Sequence, residues 1–99
     1  MGLLVQLNDE MKQAMKSKEI NKLSVVRMLK TALENEAIKL NKQELTKEEE
    51  LTVLSRELEQ RKDSLHEYEK AGRDDLAEKI RTELKYIKIY MSKHQLIDK

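Results

Sequence analysis

Residues 23–40, LSVVRMLKTALENEAIKL, decide the fold because their apolar side chains recur at helical spacing. Alternating steps of three and four residues place five of them and one lysine on one helix face: Leu23, Val26, Lys30, Leu33, Ala37 and Leu40. Residues 51–68 repeat the pattern with Leu51, Leu54, Leu58, Arg61, Leu65 and Tyr68. Each stretch predicts an amphipathic helix, and each has one cation where the pattern calls for an apolar residue.

These two cations, Lys30 and Arg61, are the first candidates for function. A buried cation without a partner costs several kcal/mol. Each must therefore pair with a carboxylate, lie at the edge of a helical bundle, or face an anionic partner. A salt bridge between Arg61 and Glu34 or Glu36 of the neighbouring helix is one example of the first alternative. The sequence leaves all three alternatives open.

Further helices and their ends follow from the same kind of pattern. We expect four helices, over residues 3–16, 21–41, 47–71 and 74–91. Asn21 is a candidate N-cap, and Thr46 with Glu49 has the spacing of a capping box, in which each side chain accepts a hydrogen bond from the other residue's backbone amide. Gly72 suits the left-handed position that follows a helix. The outer helices have their apolar stripes at Leu3, Leu7, Met11 and Ala14 and at Leu76, Ile80, Leu84, Ile87 and Met91.

The composition predicts an all-α protein. Hydrophobic residues make up 38% and charged residues 39%, with no proline and two glycines, a balance typical of amphipathic helices with narrow apolar stripes. A chain of 99 residues has room for one domain. We therefore expect a single helical domain over residues 1–99, an antiparallel bundle in which the third and fourth helices form a hairpin and the first two pack across it.

The composition also excludes several classes of protein. Without cysteine there is no disulfide framework, thiolate metal site or cysteine nucleophile. No apolar run approaches the roughly 20 residues that span a bilayer. The N-terminal residues lack the pattern of a signal peptide. We expect a cytoplasmic protein that does not associate with membranes.

Catalytic and metal-binding patterns are nearly absent. Asp63 and His66 have the i, i+3 spacing of half a bundle metal site, but no second pair accompanies them, so a solvated His66 is expected. Ser64 has no evident base, because His66 two residues later points to another helix face. Two glycines cannot form a phosphate-binding glycine-rich loop. We predict no catalytic residues, no metal and no cofactor.

Basic side chains are the stronger indication of function. The formal net charge of +1 means that any nucleic-acid site must be a local patch. Arg81, Lys85 and Lys88 follow at i, i+4 and i+7 and could track a phosphate backbone, although a solvated helix face is the expected explanation. The three tyrosines are too few for binding by base stacking, so phosphate and shape contacts would dominate. The candidate RNA-binding residues are Arg27, Lys30, Arg56, Arg61, Arg73, Arg81, Lys85 and Lys88.

Three stretches carry a resemblance to a known family. Residues 23–33 with 35–38 resemble the second helix of the GatB/YqeY-like proteins, and residues 53–64, 72–77, 83–84 and 89–90 are similar to the third and fourth. The likeness covers residues 3–90 and is closest to the free-standing YqeY type. In the family this region forms the tail of the GatB subunit of the glutamine-dependent aminoacyl-tRNA amidotransferase, which is thought to help hold tRNA. The resemblance implies a non-catalytic helical module that binds tRNA weakly or assists an RNA-handling protein complex.

The chain departs from the family after Tyr90. Family members usually continue with a turn and a second, smaller helical domain, whereas residues 91–96 here replace the turn. We expect that domain to be absent, either in a fragment or in a naturally short member. One alternative function is a protein-interaction bundle that forms a homodimer. Another is a component associated with carbon-nitrogen ligation that uses glutamine as amido donor, for which no catalytic constellation is present.

Overall fold

The structure, a computed structural model, describes residues 2–97 as four α-helices joined by short connections. They are α1 (Leu3–Lys16), α2 (Ile20–Lys39), α3 (Lys47–Lys70) and α4 (Asp74–Ile97). No strand occurs within residues 2–97. The predicted all-α class is confirmed.

The helices pack as two hairpins. The largest contact is between α3 and α4, which are joined by residues 71–73, and the next largest is between α1 and α2. The second helix also touches both α3 and α4, so it connects the two hairpins. The buried core between them consists of Leu3, Leu7, Val25, Val26, Leu29, Leu33, Val53, Leu54, Ile87 and Tyr90.

The buried face of α2 is rotated relative to the predicted one. Val25 and Leu29 are buried together with Val26 and Leu33, whereas Lys30 is only half-buried. Both faces are compatible with helical spacing, and the structure buries the one that carries only apolar side chains. Lys30 therefore lies at the edge of the bundle, which was the second of its three alternatives.

The ends of α3 agree with the sequence signals. The Thr46 hydroxyl accepts a hydrogen bond from the Glu49 amide at 3.1 Å, and the Glu49 carboxylate accepts one from the Thr46 amide at 2.8 Å. This confirms the capping box. Gly72 has a φ of +69° directly after the C-cap residue Ala71, as the left-handed position requires.

Four helix ends differ from the predicted bounds. The second helix begins at Ile20, so Asn21 lies inside it and is not the N-cap. It ends at Lys39, after which Asn41 adopts a φ of +56°. The third helix ends one residue earlier than predicted, at Lys70. The fourth continues from 91 to Ile97, because no glycine or proline interrupts it and His94 finds a buried partner.

That partner is Glu50, a buried carboxylate that joins three helices. Its Oε2 accepts a hydrogen bond from the Leu3 amide at 2.9 Å, and its Oε1 lies 3.1 Å from Nε2 of His94. The His94 and Glu50 side chains are only 5% and 8% exposed. The N-cap of α1 is Gly2, which has no side chain to cap the helix, so a carboxylate from α3 satisfies the first amide of α1 instead.

A second carboxylate, Glu10, also links three helices. Its oxygens lie 2.9 Å from Nζ of Lys22 on α2 and 3.2 Å from Nζ of Lys93 on α4. Burial by itself would raise the pKa of Glu10, but the two ammonium groups outweigh it and hold this pKa below its usual value. The Glu10 carboxylate is therefore charged at neutral pH.

Removal of the Glu50 carboxylate should destabilise the fold. In Glu50→Ala the Leu3 amide and the His94 ring lose their buried partner, so we expect the free energy of unfolding to fall by about 1–3 kcal/mol in urea titrations. Glu67→Ala, a change at an exposed position on the same helix, is the control and should shift it by less than about 0.5 kcal/mol. Equal effects of the two substitutions would show that Glu50 does not hold the helices together.

The contribution of Glu10 should depend on pH. Because its folded-state pKa is lowered, its ion pairs stabilise the protein fully above the unfolded-state pKa of about 4.3, and this stability is lost as the pH falls through the folded-state pKa. We expect Glu10→Gln to lower the free energy of unfolding by about 1 kcal/mol at neutral pH and by much less near pH 3. Urea unfolding followed by circular dichroism at both pH values measures the two differences. A difference independent of pH would contradict the assignment.

Candidate nucleic-acid interface

A groove between α2 and α3 brings two of the predicted cations together. Its volume is about 600 Å³. The lining contains three cations, two carboxylates, three polar residues and three apolar ones: Arg27, Lys39, Arg56, Glu36, Glu57, Thr31, Asn35, Gln60, Met28, Ala32 and Val53. Arg27 and Arg56 come from opposite sides of the groove, so an anion in it could contact both helices.

The two arginines differ in their partners. The guanidinium of Arg56 lies 3.3 Å from the Glu36 carboxylate, and its side chain remains 46% exposed. Arg27 is exposed and forms no salt bridge with any residue that the structure describes. The ion pair is long and its Arg56 end is open to solvent, although Glu36 is only 12% exposed, so a phosphate could bind the exposed edge of the Arg56 guanidinium beside Glu36. The groove therefore offers one free and one weakly held guanidinium.

Arg61 is engaged within the bundle. Its guanidinium lies 3.4 Å from Glu57 on the same helix and 3.5 Å from Glu83 on α4, and its side chain is 19% exposed. Arg61 forms a cross-helix ion pair, which was one of the expected alternatives. Its partner on the other helix is Glu83 and not Glu34 or Glu36. Arg61 faces α4 rather than α2, so it braces the α3–α4 hairpin.

Lys30 does not join the groove. It is half-buried at the edge of α2, and among the described residues it has no salt bridge. Glu34 is also absent from the groove lining. Lys30 lies on the side of Arg27 that is turned away from Thr31, so it neighbours Arg27 without lining the groove.

The other four candidates lie on α4 or just before it. Arg73 pairs with Asp75 at 3.4 Å, and hydrogen bonding from Arg73 lowers the pKa of Asp75. Arg81 bridges Glu69 at 2.9 Å and Glu78 at 3.1 Å. Lys85 and Lys88 are exposed and have no salt bridge within residues 2–97. Of the three basic residues that follow one another along α4, Arg81 is therefore held in ion pairs, whereas Lys85 and Lys88 form none with the described residues.

The tyrosines cannot provide an open stacking surface. Tyr90 is 1% exposed, and burial raises the pKa of its hydroxyl far above the usual value, so the side chain is a neutral core residue. Tyr68 and Tyr86 are half-buried. Any nucleic acid would be bound chiefly through its phosphates.

The two histidines lie in different surroundings, and neither belongs to a cluster of possible metal ligands among the residues that the structure describes. His66 is exposed, as expected, and His94 is held by Glu50. In the described part of the chain, no three His, Asp or Glu side chains come together in a way that could hold a metal ion. None of the helices within residues 2–97 has the length and apolar content needed to cross a membrane.

Part of the groove is lined by residues of α2 that were not among the candidates. Thr31, Asn35 and Lys39 line it together with Arg27. The four residues are spaced at successive steps of four along α2, which places them on one polar face beside the apolar one. That spacing was visible in the sequence and could have identified the face.

Comparison with known proteins identifies the family. Over 91 residues the chain is 35% identical to "Altered inheritance of mitochondria protein 41, mitochondrial" of Vanderwaltozyma polyspora, covering 89% of this chain and 48% of that protein. Over 89 residues it is 30% identical to the protein of the same name from Eremothecium gossypii, covering 90% and 49%. The chain thus spans about half the length of the curated relatives it matches. Residues 4–98 match the family described as Yqey-like protein, and the chain therefore belongs to that family.

Proposed function

We propose that this chain is a non-catalytic helical module, related to the tail of GatB, that binds tRNA weakly or assists an RNA-handling complex. The observation that carries the proposal is the α2–α3 groove, where the free Arg27 and the weakly paired Arg56 line the same hollow as polar side chains. A guanidinium group can bind two phosphate oxygens at once. Three polar residues of the groove can donate hydrogen bonds to the sugar-phosphate backbone of the same RNA: Thr31, Asn35 and Gln60.

The remaining candidate residues differ in how readily they could contact phosphate. Lys85 and Lys88 on α4 are free for additional phosphate contacts, and Arg73 and Arg81 would first have to give up exposed ion pairs. Lys30 offers a single edge contact. Arg61 acts as a positioning residue, because its bridge to Glu83 holds the helix that carries Arg56.

The affinity should be modest. The groove also contains Glu36 and Glu57, so its local field is only weakly positive, in keeping with a net charge of +1. A role beside a larger RNA-handling or amide-forming complex, in which other subunits perform carbon-nitrogen ligation, suits such an affinity. We propose the cytoplasm as its compartment, while the names of its relatives place those proteins in mitochondria.

A titration of unfractionated tRNA tests the groove. We expect binding at about 50 mM salt that weakens steeply at about 200 mM, because each phosphate contact adds to the salt dependence. Arg27→Glu/Arg56→Glu should weaken binding about tenfold or more and reduce the slope of log K against log salt by about two. Fluorescence anisotropy measures both quantities, and circular dichroism checks that helicity is unchanged.

The matched control is Lys12→Glu/Lys16→Glu, which makes the same change in net charge at two exposed lysines of α1 outside the groove. It should retain most of the affinity. Absence of binding by the parent at low salt would refute the proposal. An equal loss in both variants would show that only the overall charge matters.

A further inference from the structure

A second groove lies where three helices meet around Glu50, and it shares no lining residue with the α2–α3 groove. Its volume is about 790 Å³, within the range of about 300–1,000 Å³ that is usual for binding pockets. Its apolar lining comes from the start of α1, the end of α2 and the following connection, and includes Leu4, Val5, Ala37, Ile38 and Leu45.

Part of this apolar lining faces solvent. Ile38 is 76% exposed and Val5 is 45% exposed. Single exposed apolar residues are common, but here two of them adjoin an apolar hollow, which is the arrangement of an interaction surface.

The groove is formed before anything binds. Glu50 and His94 belong to its lining. Glu50 contacts both the His94 ring and the Leu3 amide, and these two contacts fix α1, α3 and α4 around the groove. A groove held by buried polar contacts does not have to be opened or ordered on binding, so less free energy is lost.

The uncommitted charge of the groove is negative. Glu34 and Glu44 line it, are exposed, and have no salt bridge to any described residue. The two lysines in the lining already have partners. The Nζ atom of Lys42 lies 2.7 Å from the Glu49 carboxylate, and Lys47 is likewise not free. A ligand that fits must present apolar side chains together with cations.

We propose that this groove binds an amphipathic α-helix of a partner protein, one whose apolar face is flanked by lysine or arginine. A helix satisfies its own backbone hydrogen bonds and can therefore lie in an apolar groove made of side chains. A second copy of this chain fits less well, since through this face it would present its own uncommitted Glu34 and Glu44 to a groove whose uncommitted charge is already negative. The proposal is independent of RNA binding.

Two designed peptides of about 18 residues test the proposal on the complete chain. Both have the same leucine face, which is flanked by lysines in one peptide and by glutamates in the other. In anisotropy titrations we expect the lysine peptide to bind at least about tenfold more tightly than the glutamate peptide. Ile38→Asp should abolish this binding without loss of helicity, because Ile38 is exposed in the unbound protein.

Charge reversal separates this groove from general electrostatic attraction. Glu34→Lys/Glu44→Lys should reverse the preference, so that the glutamate peptide binds more tightly. Asp63→Lys/Glu67→Lys, which makes the same change at exposed positions on α3 outside the groove, should leave the preference for the lysine peptide intact. The same response in both variants, or equal binding of the two peptides by the parent, would overturn the proposal.

Sedimentation of the peptide-free chain tests the alternative occupant. We expect a monomer whose mass does not depend on concentration. A dimer that Ile38→Asp dissociates would assign the groove to a second copy and overturn the proposal.

Discussion

A largely buried carboxylate holds this bundle together at one end. Glu50 receives the first amide of α1 on one oxygen and the His94 ring of α4 on the other, so it joins residues 47 and 44 positions away along the chain. Leu3 and Leu7 bring α1 into the common core, and the two Glu50 contacts hold the first turn of α1 against α3 and α4. The arrangement of the helix ends and the shape of the groove beside them therefore depend on this one side chain.

Ion pairs determine which cations remain available for binding. With 39% charged residues, the protein uses many cations internally: Arg61 braces α3 against α4, and Lys22 and Lys93 hold Glu10. The residues that matter for a ligand are then those left over, above all Arg27. Counting basic residues in the sequence does not reveal this, since Arg56 and Arg61 lie on the same helix yet have different partners and exposure.

Local signals in the sequence predicted most of the fold. The helical periods, the Thr46 capping box and the Gly72 turn depend on residues close together in the chain, and these features match the structure. Helix packing decided the rest. Which face of α2 is buried, which carboxylate Arg61 meets and where His94 lies all depend on distant residues. The polar face of α2 that includes Arg27 could have been identified from the spacing of its residues. Its position opposite Arg56 could not, because it depends on how α2 packs against α3.

The pairing of the helices gives the two grooves a common boundary. The contacts are concentrated within α1–α2 and within α3–α4, and each groove is lined by both pairs. A small rotation of one hairpin against the other would therefore change the width of both grooves at once. A ligand that favours one such arrangement in the first groove would alter affinity in the second, and thermodynamic linkage makes that influence mutual. The helix pairing thus makes the shape of each groove depend on the shape of the other.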